Sequence, residues 1–470
     1  MTDVVAGGRG VVAPAAASEV FGHPRGMAYL VMTEGFERFS YYGMQTLLVL
    51  YMTARLLTPG VMEHIVGFAG FRQLLDGVFG RLSNQALATT IFGLYGGSVY
   101  ALPVVGSLIG DRLGRRRVVT VGLVVMALGH FLMAFEPLFL LALSALMTGS
   151  GLLKGNVAAQ VRGLYGPNDE RLDQAYSIFY MAVNIGGALS PFLCGTLGEL
   201  YGWRYGFTAA GVVMAVGVAI YLSGLRYLPA DRPRETSARG AEGAEGVARP
   251  AGFSLAQLAA MGVLLLVATL FWTTISQGWN TYNLWVRDRV DRSVFGFTLP
   301  VTWFSVGGSL AAIALAPPVI WFWRWQAARG REPGDLPKVA WGCLTVAGGT
   351  LIYSLAEALA GQGKIAILWP LACHLVVSLG YLYVAPVFVA WFSRIVPTGA
   401  TGTTIAIYYL SICGGSFISG WLSRFYGVVG NGEFWAIHAA LTAGGGMLLL
   451  ALRRPLTPML DHRDRQEVAR

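Results

Sequence analysis

Charge is what this 470-residue chain has least of. Asp, Glu, Lys and Arg together make up 13% of it, where a soluble globular domain carries roughly 25%. With 55% apolar residues beside that scarcity, an ordinary soluble enzyme and a disordered chain are both excluded. Cysteine is scarce as well. The four, Cys194, Cys343, Cys373 and Cys413, lie in apolar runs and form no CxxC pair, so they read as small core residues, not disulfides or metal ligands. The histidines His23, His64, His130, His374, His438 and His462 are scattered. They give no HExxH, no metal-spaced cluster and no Ser/His/Asp set, which argues against an enzyme, a metal and a cofactor. Gly149-Ser-Gly151-Leu-Leu-Lys154-Gly155 lacks the GK[ST] order of a phosphate loop. Basic residues sit in short loops and not along one soluble face, so no nucleic-acid partner is expected. Residues 1–26 show no apolar signal-peptide core, and the first apolar run is expected to act as its own insertion signal.

What is present is length of apolar run. A bilayer core of about 30 Å needs about 20 apolar residues as helix. Runs of that order recur at 27–56, 88–111, 118–135, 137–163, 173–198, 206–228, 254–287, 297–324, 338–361, 364–392, 401–426 and 432–452. They predict an all-α integral membrane protein of twelve transmembrane helices. A barrel would show alternating strands of about ten residues instead. One long polar break, 229–253, divides the chain into six spans and six. The expected organisation is an N-tail (1–26), a six-helix half (27–228), the linker (229–253), a second six-helix half (254–452) and a C-tail (453–470). Lys and Arg number 23 in the tails and on the loop side that shares them, against 9 on the opposite side. The positive-inside rule therefore places both termini in the cytoplasm of a multi-pass cell-membrane protein. The connection at 57–87 holds an amphipathic stretch, expected to lie on the membrane surface with Phe71, Leu74, Leu75, Val78 and Phe79 turned inward.

The first span carries Glu34, Glu37, Arg38 and Tyr41 at i, i+3, i+4 and i+7, one face of a helix. Each charge near the bilayer centre costs about 2.5–3.5 kcal/mol on insertion scales, so this face must line protein or a water-filled cavity. Glu34 and Arg38 can pair along the helix, and Glu37 can bond Tyr41 or another helix. Lys154 in the fourth span is the other deep charge, beside Gly151, Asn156 and Gln160. Two carboxylates and two cations sum to zero. Such a set suits proton coupling: a proton on one glutamate frees a cation to take a substrate anion. After the second span the chain reads Gly106-Ser-Leu-Ile-Gly110-Asp111-Arg112-Leu-Gly114-Arg115-Arg116-Arg117. Glycines at i and i+4 admit a second helix, and Asp111 can pair with Arg112 or with a neighbouring helix's backbone.

These segments carry a resemblance. The Gly106–Arg115 loop, with its Gly110, Asp111, Arg112 and Gly114, resembles the G-x-x-x-D-R-x-G-R-R loop of the major facilitator superfamily. Glu34-x-x-Glu37-Arg38-Phe39-x-Tyr41-Tyr42-Gly43 resembles the E-x-x-E-R-F-x-Y-Y signature of the proton-coupled oligopeptide transporter (POT/PTR) family within it. Phe179-Tyr180-x-x-Val183-Asn184-x-Gly186, Tyr201-Gly-Trp203-Arg and Lys154-Gly155-Asn156 are similar to further segments of that family, with Gly155 where proline is usual. The resemblance implies proton-linked carboxylates at Glu34 and Glu37 and substrate-carboxylate contacts from Arg38 and Lys154, the latter also coupling. It implies a pocket lined by Tyr41, Tyr42, Tyr100, Asn156, Asn184, Gln277, Tyr381 and Tyr408, no cofactor, and a monomer working by alternating access.

The second half departs from the family at chemically telling places. Ser276 stands where an acid usually precedes Gln277, and Gln45 where arginine is frequent. Tyr381 replaces the glutamate that holds a peptide's ammonium, Gly308-Ser309 replaces N-P, and Tyr408 replaces tryptophan. The pocket keeps its cations and loses the anion for a free amine, and an unpaired ammonium there would cost several kcal/mol. The expected cargo is an anionic peptide or peptide-like molecule without an essential free amine. Tyr282, Tyr381, Tyr383, Tyr408, Tyr409, Trp272, Trp279 and Trp303 are candidate aromatic walls. Without the usual acid before Gln277 in the seventh span, Lys154 is expected to pair with Glu34 or Glu37. A proton antiporter exporting amphipathic compounds is the alternative.

Overall fold

A computed structural model describes residues 19–166, 169–231, 255–394 and 401–460. A short hairpin, β1 (Glu19–Val20) and β2 (His23–Pro24), leads into α1 (Arg25–Tyr51). Surface helix α2 (Phe68–Phe79) follows, then α3 (Asn84–Leu113), α4 (Arg115–Leu132), α5 (Phe139–Gly163), α6 (Arg171–Ser190) and α7 (Trp203–Gly224). After the break come α8 (Leu255–Ser276) and α9 (Thr281–Arg289), then the hairpin of β3 (Ser293–Val294) with β4 (Phe297–Thr298). The chain ends through α10 (Val301–Ala327), α11 (Asp335–Ala360), α12 (Leu368–Arg394), α13 (Thr401–Leu422), α14 (Asn431–Ala451) and α15 (Arg453–Leu460). Among the described residues nine helical stretches are long and apolar enough to cross a membrane. The charge-bearing α1, with α4 and α13, completes twelve.

Local chemistry sets several boundaries that periodicity alone missed. The run 254–287 is not one helix. It tightens to a 3₁₀ turn at Gln277–Trp279, where Asn280 leaves helical geometry, and restarts as α9. The run beginning at 297 starts as strand, because Phe295 and Gly296 turn the chain at positive φ, and helix begins only after Pro300. Helix α6 widens to π turns from Pro191, whose missing N–H breaks the regular ladder. On α2, Phe68 and Leu75 are buried and Phe71 and Phe79 pack against the core, while Leu74 and Val78 point away from it. Of the five residues expected inward, Phe71, Leu75 and Phe79 therefore face the protein, and Leu74 and Val78 do not. Most of the linker, both tail ends and residues 395–400 lie outside the described residues.

The two halves repeat one packing scheme. In the first, α1 packs on α6 and α7, α5 on α3 and α4, and α4 on α7. In the second, α8 packs on α13 and α14, α12 on α10 and α11, and α11 on α14. Each pair occupies the corresponding place in its half, the signature of an internally repeated transporter fold. The halves meet where α3 crosses α13. A Cβ on Gly93 would stand 2.7 Å from the Cα of Gly420, so only glycine allows this approach. Hydrogen bonds joining the halves cluster at the end away from the termini. Gln85 reaches the Tyr426 carbonyl, Arg424 the Phe79 carbonyl and Arg287 the Thr53 hydroxyl. The Glu199 carboxylate accepts the Val301 and Thr302 amides at the start of α10.

Candidate functional site: a tyrosine-walled cavity and its buried ions

Helical spacing on α1 brings the three charges onto one face with Tyr41, which meets Lys154 of α5 and Tyr95 of α3. Arg38 Nε donates to Glu34 Oε1 at 2.9 Å and lies 2.7 Å from Glu37 Oε2. All three are buried, Glu37 to 2% exposure. The second contact is an ion pair without hydrogen-bond direction, and neither Glu37 oxygen has a hydrogen-bond partner among the described residues. A buried carboxylate held by charge alone is poised to exchange partner or proton, since each unmade hydrogen bond to it costs free energy in a low-dielectric site.

Lys154 on α5 does not pair with either glutamate. Its Nζ sits over two rings, 4.3 Å from the centroid of Tyr100 and 4.9 Å from that of Tyr41, with no hydrogen-bond partner among the described residues. The expected Lys154–glutamate bond is absent because Arg38 already holds both carboxylates. The ammonium falls back on the negative faces of the tyrosines, an interaction of about 2 kcal/mol when desolvated. Tyr41 also faces the Arg38 guanidinium at 5.5 Å and stacks on Tyr95. Its hydroxyl has no partner among the described residues, so the proposed Glu37–Tyr41 bond is not made.

Beyond this tyrosine layer lies a cavity of about 280 Å³ between the halves. Tyr42, Tyr100 and Asn184 line it from the first half; Trp272, Ser276, Tyr282, His374 and Tyr381 do so from the second. Among its described lining residues there is no Asp, Glu, Lys or Arg. The ions thus stand one ring behind the wall. The aromatic floor is continuous: Tyr42 meets Trp279 at 5.3 Å, and Tyr381 packs against Phe271 and Trp272.

The structure brings together Tyr42, Tyr100, Asn184 and Tyr381 on the cavity, with Glu34, Glu37, Arg38, Tyr41 and Lys154 behind it. Besides Tyr41, three expected lining residues are off the cavity. Gln277 is buried outside the cavity, its amide shared among the Ser419 carbonyl at 3.0 Å, His438 Nε2 at 2.9 Å and Ser423 Oγ at 3.0 Å. Asn156 bonds the Gly106 carbonyl at 2.9 Å and clasps α5 to α3. Tyr408 lies beneath Trp272, accepting its indole N–H at 3.2 Å. Polar residues in apolar spans satisfy helix contacts as readily as substrates, and spacing does not separate the two. The sequence also passed over Gln45, Ser305 and His374 as lining residues. For His374 the signal was available: a single imidazole inside a long apolar run.

The loop after α3 behaves as a clasp. Gly106 and Gly110 face Gly151 and Asn156 of α5 so closely that a Cβ on either would collide. Asp111 pairs with Arg115 at 2.7 Å, one turn on, and not with Arg112, which is exposed. The turn at Gly114 brings Arg115, the first residue of α4, back beside Asp111 near the end of α3. Gly114 has φ +96° and caps the turn. The Asp231 carboxylate accepts the Arg116 amide at 2.9 Å, and the Arg116 side chain donates to the carbonyls of Pro229 and Leu228. The first residues of the linker are therefore tied to this loop.

Comparison with known proteins adds independent observations. The family description "Major Facilitator Superfamily" matches residues 39–420. The chain is 28% identical over 466 residues to the peptide transporter YePEPT of Yersinia enterocolitica, covering 85% of this chain and 87% of that one. It is 26% identical over 503 residues to a di-/tripeptide transporter of Lactococcus lactis, covering 94% and 97%. A crystal structure of a peptide transporter POT in complex with sulfate superposes with a TM-score of 0.81 at 25% identity, covering 94% of this chain and 97% of that one.

Proposed function

Because the chain belongs to the major facilitator superfamily, as a divergent member of its oligopeptide-transporter (POT) branch, we propose that it is a proton-coupled symporter. Its cargo is a peptide or peptide-like carboxylate, moved by alternating access across the cell membrane by a monomer with both termini in the cytoplasm. One observation carries this: a charge-neutral set of buried ions, Glu34, Glu37, Arg38 and Lys154, one ring behind a cavity whose described lining is uncharged.

The cycle follows from charge balance. A proton on Glu37 or Glu34 loosens that carboxylate's hold on Arg38. The guanidinium, no longer neutralised, takes a substrate carboxylate entering past Tyr42 and Tyr100. Lys154 leaves the ring faces for the same anion. Each step exchanges one negative partner for another, so no isolated charge is left in a medium where it would cost several kcal/mol. The halves are bonded at the end away from the termini. With the termini inside the cell, this conformation is closed to the outside.

The test is transport into proteoliposomes under an inwardly directed proton gradient (acidic outside), with free and N-acetylated dipeptides as probes. Glu37→Gln should abolish proton-driven accumulation, by about a hundredfold, and spare counterflow exchange. Accumulation by Glu37→Gln against a gradient would falsify the coupling assignment. Proton-driven efflux of amphipathic compounds in the wild type would establish the antiport alternative, which the aromatic floor also accommodates.

A further inference from the structure

Helix α10 begins where its own sequence cannot cap it. The capping position is Pro300, which has no side-chain acceptor for the amides of the first turn. The other half supplies one. Glu199 stands in the π turns that follow α6. Its carboxylate accepts the Val301 amide at 2.8 Å, the Thr302 amide at 2.9 Å and the Thr302 hydroxyl at 2.8 Å. All three bonds cross from one half to the other. The fit around them is close: a Cβ on Gly195 would collide with Thr302 Oγ1. The Trp303 indole N–H donates to Thr196 Oγ1 at 2.9 Å, and its ring meets Phe192 edge-on at 5.4 Å. Elsewhere at this end, Gln85 and Arg424 each give one hydrogen bond to a carbonyl, and Arg287 gives one to a hydroxyl. No ion pair between described residues joins the halves there.

We propose that Glu199 is a positioning residue of the transport cycle: by capping α10 from the opposite half it holds the outer end shut, and so sets how often the cavity opens outward. This rests on the alternating-access part of the reading above, and not on the cargo or the proton. Hydrogen bonds to a carboxylate are roughly twice as strong as neutral ones, and the first turn of α10 adds the positive end of its dipole. Parting the halves at this end gives up all three bonds together. Water then solvates the carboxylate and the freed amides, so only the net difference biases the equilibrium. That difference is about tenfold or more in the ratio of closed to outward-open molecules.

The readout is the rate at which a membrane-impermeant maleimide labels Ser276→Cys, a cavity position, with the four native cysteines replaced by alanine. The reagent is applied to intact cells or to inside-out vesicles. With Glu199 intact, this parent should label slowly from outside and fast from inside. Adding Glu199→Gln, which offers one acceptor oxygen in place of two, should raise the outside rate about tenfold. Pro300→Ser gives α10 a cap of its own. Combined with Glu199→Gln, it should recover the melting temperature that Glu199→Gln loses and keep the fast outside labelling. An unchanged outside rate in Glu199→Gln, beside a lower melting temperature, would show that Glu199 only completes the helix and would overturn this assignment alone. Return of slow outside labelling in the double variant would overturn it as well, because helix capping and not the bond between halves would then set the rate. Faster labelling of the parent from outside than from inside would instead overturn the closed-outside reading, and this assignment with it.

Discussion

The two halves share a packing scheme and differ in how their inner faces handle polarity. The first half buries ions: Arg38 between Glu34 and Glu37, with Lys154 on tyrosine faces. The second half buries neutral hydrogen-bonding groups. Gln277, His438, Ser423 and Thr281 form one chain of bonds, and Tyr282 with His374 forms another. Ions with incomplete hydrogen bonding can change partner, so they suit a coupling device. A neutral amide with every group engaged is costly to disturb, so it suits a scaffold. A repeated fold can therefore divide labour between copies by the polarity of a few buried residues.

Removing the shared cation should break this comparison most severely. Arg38→Ala leaves two buried carboxylates without their partner, a loss of about 3–5 kcal/mol, read as a large fall in melting temperature in detergent. Adding Glu34→Gln and Glu37→Gln should recover most of that stability and none of the proton-driven transport. If the triple variant transports, the ions are packing elements only.

Gln277→Leu should cost less, about 1–3 kcal/mol, because it strands His438 Nε2 in the interior, whereas Ser423 Oγ keeps the Ser419 carbonyl and Thr281 as partners. Here stability should fall while KM per folded molecule stays within about twofold. A large KM change would put Gln277 in the substrate site despite its place outside the cavity. The smallest effect is expected at the boundary between the two regimes. Tyr100→Leu removes one ring face beneath Lys154, worth about 0.5–2 kcal/mol, and should raise KM roughly threefold to tenfold with little change in melting temperature.

Much of this was legible beforehand, for identifiable reasons. Twelve apolar runs give twelve spans because a bilayer imposes length and composition on every helix that crosses it. The Glu34–Arg38 bond follows from i,i+4 spacing alone. Spacing failed where a side chain had a choice among partners on other helices. Lys154 was expected on a glutamate and is on tyrosines; Asp111 was expected on Arg112 or a neighbouring helix's backbone and is on Arg115. Gln277, Asn156 and Tyr408 were expected on the cavity and serve helix contacts.

By itself the sequence determined the membrane class, the two sets of six spans, the one-sided charge cluster of α1 and the lack of an Asp or Glu deep in the second-half spans. All of these are consequences of composition and helical period, which act within one segment. The tertiary structure decided which anion holds which cation, which polar groups face the cavity, and that the ions lie one ring behind its wall. Those outcomes depend on which helices meet and how closely, set by contacts such as Gly93 on Gly420 and Gly307 on His374, and no period within a single helix encodes its neighbour.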